Sequence, residues 1–233
     1  MIPERYQKNI GEIGKEGQKK LFNSHVTIVG AGGLGGTLFE NLLRAGVGNI
    51  NIIDYDVFDQ TNLNRQLLSS VENIGMKKVE AAKNRAIDIN PDCNVTAIDE
   101  KLTSENAQRL LGETDVICDC VDSISLRFAI QKTARALQVP MVHAAVAGHT
   151  GQLMTIFPGD SGIEGIYGEE DIAPKSGEES SLGNPAPIVF VTASMQAHET
   201  ISLITEIQPP LRGRVLRIDL CEWKLSSFSL PGT

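Results

Sequence analysis

The chain has 233 residues, 41% of them hydrophobic and 21% charged, a composition that sustains a buried core and excludes wholesale disorder. The 21 Lys and Arg against 29 Asp and Glu leave a formal net charge of −8, which argues against nucleic acid as a partner. No apolar stretch reaches the roughly 20 residues that a membrane helix needs, and the polar start lacks the apolar heart of a secretory signal, so a cytoplasmic location is expected.

In chain order, residues 1–24 read as an N-terminal helical segment. An apolar, β-branched run from His25 to Val29 predicts a strand that enters Gly30-Ala-Gly-Gly-Leu-Gly35 and continues as Thr37–Arg44, where the apolar spacing is helical. Gly46-Val-Gly48 ends that helix, and Ile50–Ile53 reads as the next strand, finishing at Asp54. A second helix is expected over Met76–Asp88, closed by Asn90-Pro91. Short strands over Val95–Ile98, Val116–Val121 and Met141–Val146 are separated by helices over 104–111 and 124–137. This alternation predicts an α/β fold, Rossmann-like and doubly wound, with a mostly parallel sheet over 25–150.

Past Val146 the texture changes: Gly151–Phe157, Val215–Asp219 and Trp223–Leu230 alternate in the manner of antiparallel strands, so an antiparallel C-terminal edge is expected. Between them, residues 159–183 carry Asp160, Glu164, Glu169, Glu170, Asp171, Glu178 and Glu179 against Lys175 alone, six of the eight net negative charges. With few apolar residues to anchor it, this crossover is expected to be a mobile loop. Asn184-Pro-Ala-Pro187 opens a long helix over roughly 186–207, with Val189, Ala193, Gln196, Ala197 and Ile201 along one side and Pro209-Pro210 to stop it. The whole chain, 1–233, reads as one domain whose second part is 151–233.

Gly30, Gly32 and Gly35 make G-x-G-x-x-G between a strand and a helix, where bare amides and the helix N-terminus suit phosphate oxygens. Asp54 falls 19 residues after Gly35 at a strand end, the place from which a carboxylate reaches ribose hydroxyls. A turn used only for packing would explain the glycines and leave the acid unexplained. Beyond Asp54 stand Asn62-Leu-Asn-Arg65-Gln66 and Lys78, cations that suit a triphosphate and would stabilise charge on an α-phosphoryl group and a departing pyrophosphate. Asp122 is placed either to hold Mg²⁺ or to cap the helix beginning at Ile124, and Arg65 and Lys78 taken singly also fit solvated surface charges.

Arg5-Tyr6, Gly17-Gln18-x-x-Leu21, Val29–Gly35, Ala45-Gly-Val-Gly48, Asp54-x-Asp56, Asn62-Leu-x-Arg65-Gln66, Gly75-x-x-Lys78, Asn90-Pro91 and Asp119-Cys-x-Asp122 together resemble the ThiF/MoeB/HesA family of the ubiquitin-activating-enzyme superfamily. The resemblance continues through Pro140, Gly151-Gln152, Ala186-Pro187 and Gln196-x-x-Glu199. It implies a homodimeric enzyme that uses ATP and Mg²⁺ to adenylate the C-terminal Gly-Gly of a small ubiquitin-like sulfur-carrier protein, MoaD-like or ThiS-like, and releases pyrophosphate. By that resemblance Gly30, Gly32, Gly33, Gly35, Asp54 and Asp56 hold the nucleotide, with Asp54 on the ribose. Asn62, Arg65 and Lys78 contact the phosphates, Gln66 supports them, and Asp122 serves the metal and the attack on the α-phosphorus. Arg5 and Lys8 lie in the segment implied to reach across the subunit boundary.

The departures carry expectations too. Members commonly show a second Arg where this chain has Lys8, and an Asp-Asn pair where it has Asp122-Ser123. Lysine keeps the charge of the arginine and loses its planar fork. Cys93, Cys118, Cys120 and Cys221 form no Cys-x-x-Cys pair, so no zinc site is expected, and residues 159–183 contain no cysteine to take over an acyl group. Activation without an enzyme thioester is therefore the expected chemistry. Cys118, Cys120 and Cys221 read as structural, and His143 and His149 as pocket-edge or satisfied core residues without a third ligand. Three rival readings stay open: a catalytically silent subunit of a heterodimer, a tRNA-modifying relative that the acidic balance disfavours, and an NAD(P)-dependent oxidoreductase that would have no use for Arg65, Lys78 and Asp122.

Overall fold

Short β-branched strands that are buried on both faces need helices on both sides, and the computed structural model, which describes residues 1–174 and 182–230, supplies them. The strands are β1 (His25–Val29), β2 (Asn49–Ile53), β3 (Asn94–Ile98), β4 (Val116–Asp119), β5 (Met141–Ala147), β6 (Thr150–Ile156), β7 (Arg214–Asp219) and β8 (Lys224–Ser229). They form one sheet in the order β3-β2-β1-β4-β5-β6-β7-β8. Pairings from β3 across to β5 are parallel, and β5–β6, β6–β7 and β7–β8 are antiparallel. The doubly wound sheet with an antiparallel C-terminal edge is what the sequence leads one to expect.

The helices are α1 (Ile10–Asn23), α2 (Gly33–Ala45), α3 (Lys78–Ile89), α4 (Ala107–Leu110), α5 (Ile124–Leu137), α6 (Ile163–Tyr167) and α7 (Ala186–Thr205). Leu21 of α1 and the apolar residues of α2, α3 and α7 cover one face of the sheet, and those of α4, α5 and α6 cover the other. α7 is apolar nearly all round because it lies between the sheet and two other helices, α1 and α2. Gln196 on α7 donates to the carbonyls of Asp119 (3.0 Å) and Val142 (2.9 Å), and so ties β4 to β5 from outside the sheet. No helix among the described residues is long and apolar enough to cross a membrane.

The N-terminal segment is a clasp. Tyr6 is buried against Phe22, and its hydroxyl accepts from Asn90, whose amide also donates to the Leu43 carbonyl. Burial raises the Tyr6 pKa above its ordinary value. Gly46 has φ +91 and leaves no room for a Cβ, which would lie 2.7 Å from the Tyr6 ring. Arg5 donates to the Ile89 carbonyl (3.1 Å) and to Asn90 Oδ1 (2.9 Å).

Three expectations need correcting. The helix placed at 104–111 shrinks to the single turn of α4. α7 ends at Thr205, with Glu206 in the left-handed conformation, ahead of the proline pair rather than at it. The expected mobile loop over 159–183 falls at 175–181 outside the described residues, while 159–174 contain α6, whose Ile163 is fully buried and whose Ile166 and Tyr167 pack on the core. Asp160, an acid counted toward solvation, is buried and accepts from Nε and a terminal nitrogen of the Arg212 guanidinium.

At Gly35 a Cβ would lie 1.7 Å from the Gly30 carbonyl oxygen, and backbone cannot yield as a side chain can. Gly35→Ala is therefore expected to lower stability by about 3 kcal/mol or more, read as a fall in the urea midpoint; an unchanged midpoint would show that the β1–α2 contact is not tight.

Candidate active site

The strand order reverses about β1, which runs beside β2 on one side and β4 on the other, and the crevice at such a switch point is where open α/β sheets receive ligands. A cleft of about 700 Å³ opens there, of a size that suits a nucleotide. Its floor is the turn after β1. Gly30 takes φ +96, and a Cβ on it would meet the Cys120 carbonyl at 2.8 Å. Gly33 admits Val189 of α7, whose Cγ1 would lie 2.8 Å from a Cβ. No side chain caps the start of α2, so the first-turn amides, with the positive end of the helix dipole, are left for an anion.

Asp54, at the end of β2, lines the cleft and shapes the turn. Its Oδ2 accepts from the Ala31 amide (2.7 Å) and its Oδ1 from the Asp56 amide (2.9 Å). Each carboxylate oxygen keeps a second lone pair, which is enough for a ribose hydroxyl. Lys78 opens α3, is buried, and places its Nζ 3.0 Å from Asp56 Oδ2 at the cleft wall. Asp56 thus acts on Lys78, holding its ammonium at the position from which a phosphate can take it over.

Arg65 and Gln66 reach the cleft from the segment between β2 and α3. The Arg65 guanidinium donates to the Thr61 carbonyl (3.1 Å) and Asn64 Oδ1 (2.8 Å). Gln66 is buried at the cleft lining, and its Oε1 has no hydrogen-bond partner among the described residues. Asn62 behaves differently from the expectation of a phosphate contact. It is buried in a reciprocal cap with Asp59, does not line the cleft, and supports Arg65 and Gln66 by accepting from both their amides.

Asp122 lines the cleft, exposed and with no hydrogen bond or ion pair among the described residues. The alternative of a helix cap falls away, because Ser123 is the N-cap of α5 and accepts from the Leu126 amide. Arg5 and Lys8 do not line the cleft. Arg5 is bound into the Asn90 clasp, and Lys8 is exposed without an ion pair among the described residues. No cluster of three potential metal ligands exists among the described residues.

Sequence reasoning passed over Arg127, which is nearly fully buried and lines the cleft. The available signal was a charged residue at helical spacing beside the apolar Ile124 and Phe128 on the buried side of a helix. His143 proves to be a satisfied core residue: its Nδ1 lies 2.7 Å from Asp119 Oδ2, and both side chains are fully buried. Among the thiols, burial pushes Cys93 and Cys118 up to about 12 and Cys120, at the cleft, well above the ordinary value. Cys221 is exposed in the turn between β7 and β8, away from the cleft.

Comparison with known proteins gives a consistent result. The ThiF family matches residues 6–232. The chain is 34% identical over 209 residues to the sulfur carrier protein ThiS adenylyltransferase of Escherichia coli K12, covering 88% of this chain and 83% of that one. It is 33% identical over 222 residues to the adenylyltransferase and sulfurtransferase MOCS3 of Drosophila virilis, where 92% of this chain spans about half (48%) of the relative. Among solved structures, E. coli MccB with ATP superposes with a TM-score of 0.86 at 25% identity, covering 100% of this chain and 72% of that one.

Raised thiol pKa values have a chemical readout, since the thiolate is the nucleophile. Iodoacetamide at pH 8 is expected to label Cys221 and to spare Cys93, Cys118 and Cys120 in the folded protein, with no rise at those three up to about pH 9. Peptide mapping by mass spectrometry checks this; labelling of Cys120 at a rate like that of Cys221 would contradict it.

Proposed function

Because this chain belongs to the ThiF family, we propose that it adenylates the C-terminal carboxylate of a small ubiquitin-like sulfur-carrier protein ending in Gly-Gly, using ATP and releasing pyrophosphate without an enzyme thioester. The observation that carries the reading is the convergence of the glycine turn, Asp54, Arg65, Lys78 and Asp122 on one cleft at the switch point. An oxidoreductase would share the turn and Asp54, but two cations and a carboxylate facing the phosphate end serve phosphoryl chemistry instead.

The amides at the start of α2 and the cations Arg65 and Lys78 receive the phosphate chain, while Asp54 accepts from the ribose. A carboxylate oxygen of the terminal glycine attacks the α-phosphorus, the bond to the oxygen bridging the α- and β-phosphorus breaks, and pyrophosphate departs. Lys78 and Arg65 stabilise the charge that moves onto the leaving group, which is the main task in a reaction with so loose a transition state. Two glycines at the carrier's end have no side chains to obstruct approach, and their backbone bends into line with the leaving group. An exposed carboxylate without partners, together with phosphate oxygens and waters, is a ligand set that suits Mg²⁺, so Asp122 fits as its protein ligand. When bound, that ion supplies neutralisation of charge at the phosphate oxygens.

The buried thiols and a cysteine-free crossover support a product that stays an acyl-adenylate. The family resemblance also supports a homodimer in which exposed Lys8, rather than the clasped Arg5, reaches the second copy's cleft.

Asp122→Asn is expected to cut carrier-dependent ATP–pyrophosphate exchange by roughly 100-fold or more with the thermal midpoint nearly unchanged. Exchange at the wild-type rate would remove Asp122 from the site. Mass spectrometry of the wild-type reaction should show a noncovalent carrier–AMP species, whereas a reducible carrier–enzyme thioester would overturn the thiol-free chemistry.

A further inference from the structure

Behind the wall of the cleft, polar groups from five elements close into a ring of hydrogen bonds. Asp119 Oδ1, at the end of β4, accepts from the Val121 amide at 3.1 Å, and its Oδ2 pairs with His143 Nδ1 of β5 at 2.7 Å. The second ring nitrogen of His143, Nε2, lies 3.1 Å from Gln152 Nε2 of β6. The same Gln152 nitrogen donates to the Tyr167 hydroxyl of α6 at 2.9 Å, and Arg127 of α5 donates to that hydroxyl at 2.7 Å. Arg127 then returns to the start: its Nε and second terminal nitrogen donate to the Val121 carbonyl at 3.3 and 3.0 Å. With Gln152 donating to Nε2, the network assigns the histidine proton to Nδ1, facing the Asp119 carboxylate.

The ring begins and ends on one residue, at the amide and the carbonyl of Val121, which belong to the two peptide units flanking it, and the next residue is Asp122. Asp119 and His143 are fully buried and Arg127 is nearly so. Such a buried polar set is weak evidence for added stability, because apolar side chains of the same volume commonly pack as well. What it does supply is geometry. Holding both polar groups of Val121 fixes the backbone that aims the Asp122 carboxylate, and among the described residues that carboxylate has no partner of its own to aim it.

We infer that His143, Gln152, Tyr167 and Arg127 are positioning residues that hold the Val121–Asp122 turn in register for the reaction, with Tyr167 tying the setting of that turn to α6 in the crossover. The inference rests on the reading of Asp122 as the carboxylate of the adenylation site. It separates this ring from the neighbouring polar ties of Gln196, which hold strand to strand and do not touch Val121.

Tyr167→Phe tests it with the least disturbance, since the ring stays packed and one hydroxyl is lost; Gln152→Leu breaks the same ring one step earlier if Tyr167→Phe folds poorly. With a ThiS-type carrier ending in Gly-Gly as the probe, exchange kcat should fall roughly 10- to 100-fold while the KM for ATP stays within about twofold. Hydrogen exchange at the Val121 amide should speed up by about 10-fold, with the Ile28 amide of β1 unchanged as the control for global opening. Unchanged kcat and unchanged Val121 exchange would overturn the proposal, as would a loss in which Ile28 and Val121 exchange rise together, the signature of a merely structural role. If wild-type protein shows no pyrophosphate exchange with the carrier, the adenylation reading fails, and Val121 exchange in the variant still decides whether the ring clamps the turn.

Discussion

The close approach of Gly35 to the Gly30 carbonyl is the constraint on which the rest of the cleft depends. A Cβ at position 35 would lie 1.7 Å from that oxygen, so α2 can leave β1 as sharply as it does only because nothing is there. That sharp exit aims the uncapped start of α2 at the point where the strand order reverses. It also brings the Ala31 amide within reach of Asp54 on the neighbouring strand and lets Val189 of α7 pack against the turn. The uncapped helix start, the hydrogen bond that holds Asp54 and the packing of Val189 all depend on one backbone contact.

Local charge, not net charge, decides what this acidic chain can accommodate. Four cations, Arg65, Lys78, Lys101 and Arg127, and the positive end of a helix line the cleft of a molecule whose formal charge is −8. Lys78 is buried, and an unpaired ammonium there would be costly, so Asp56 keeps it paired at 3.0 Å. Asp56 is itself about half exposed, which makes the pairing one that an incoming phosphate can share or replace. Asp122 lines the same cleft with its carboxylate exposed.

The fold also buries the thiols nearest the cleft. Cys118 and Cys120 alternate across β4 and the turn that follows, where burial keeps their sulfurs protonated, and Cys120 is additionally engaged with Gln196. A thiol that stays protonated competes poorly as a nucleophile and packs well as a small apolar group.

Much of this was legible in the sequence, because the features concerned are local. Period-2 and helical spacing mark the alternating strands and helices, a glycine turn with an acid 19 residues on marks the nucleotide floor, and the resemblance to a known family brings Arg65, Lys78 and Asp122 together before any coordinates do. Where the sequence misled, a tertiary contact outweighed composition: the acidic 159–174 stretch is anchored because Arg212, 52 residues from Asp160, buries that acid, and Asn62 turns inward because Asp59 caps it. The ring through Asp119, His143, Gln152, Tyr167 and Arg127 has no local signature, since its members are spread over β4, β5, β6, α6 and α5 and meet only when sheet and crossover are assembled. Spacings along the chain set the elements and the residue types offered at the cleft, because they depend on neighbouring residues only. The aim of Asp122 and the pairing of the buried charges were decided by tertiary structure alone, because hydrogen bonds between distant segments exist only once burial has brought those segments together.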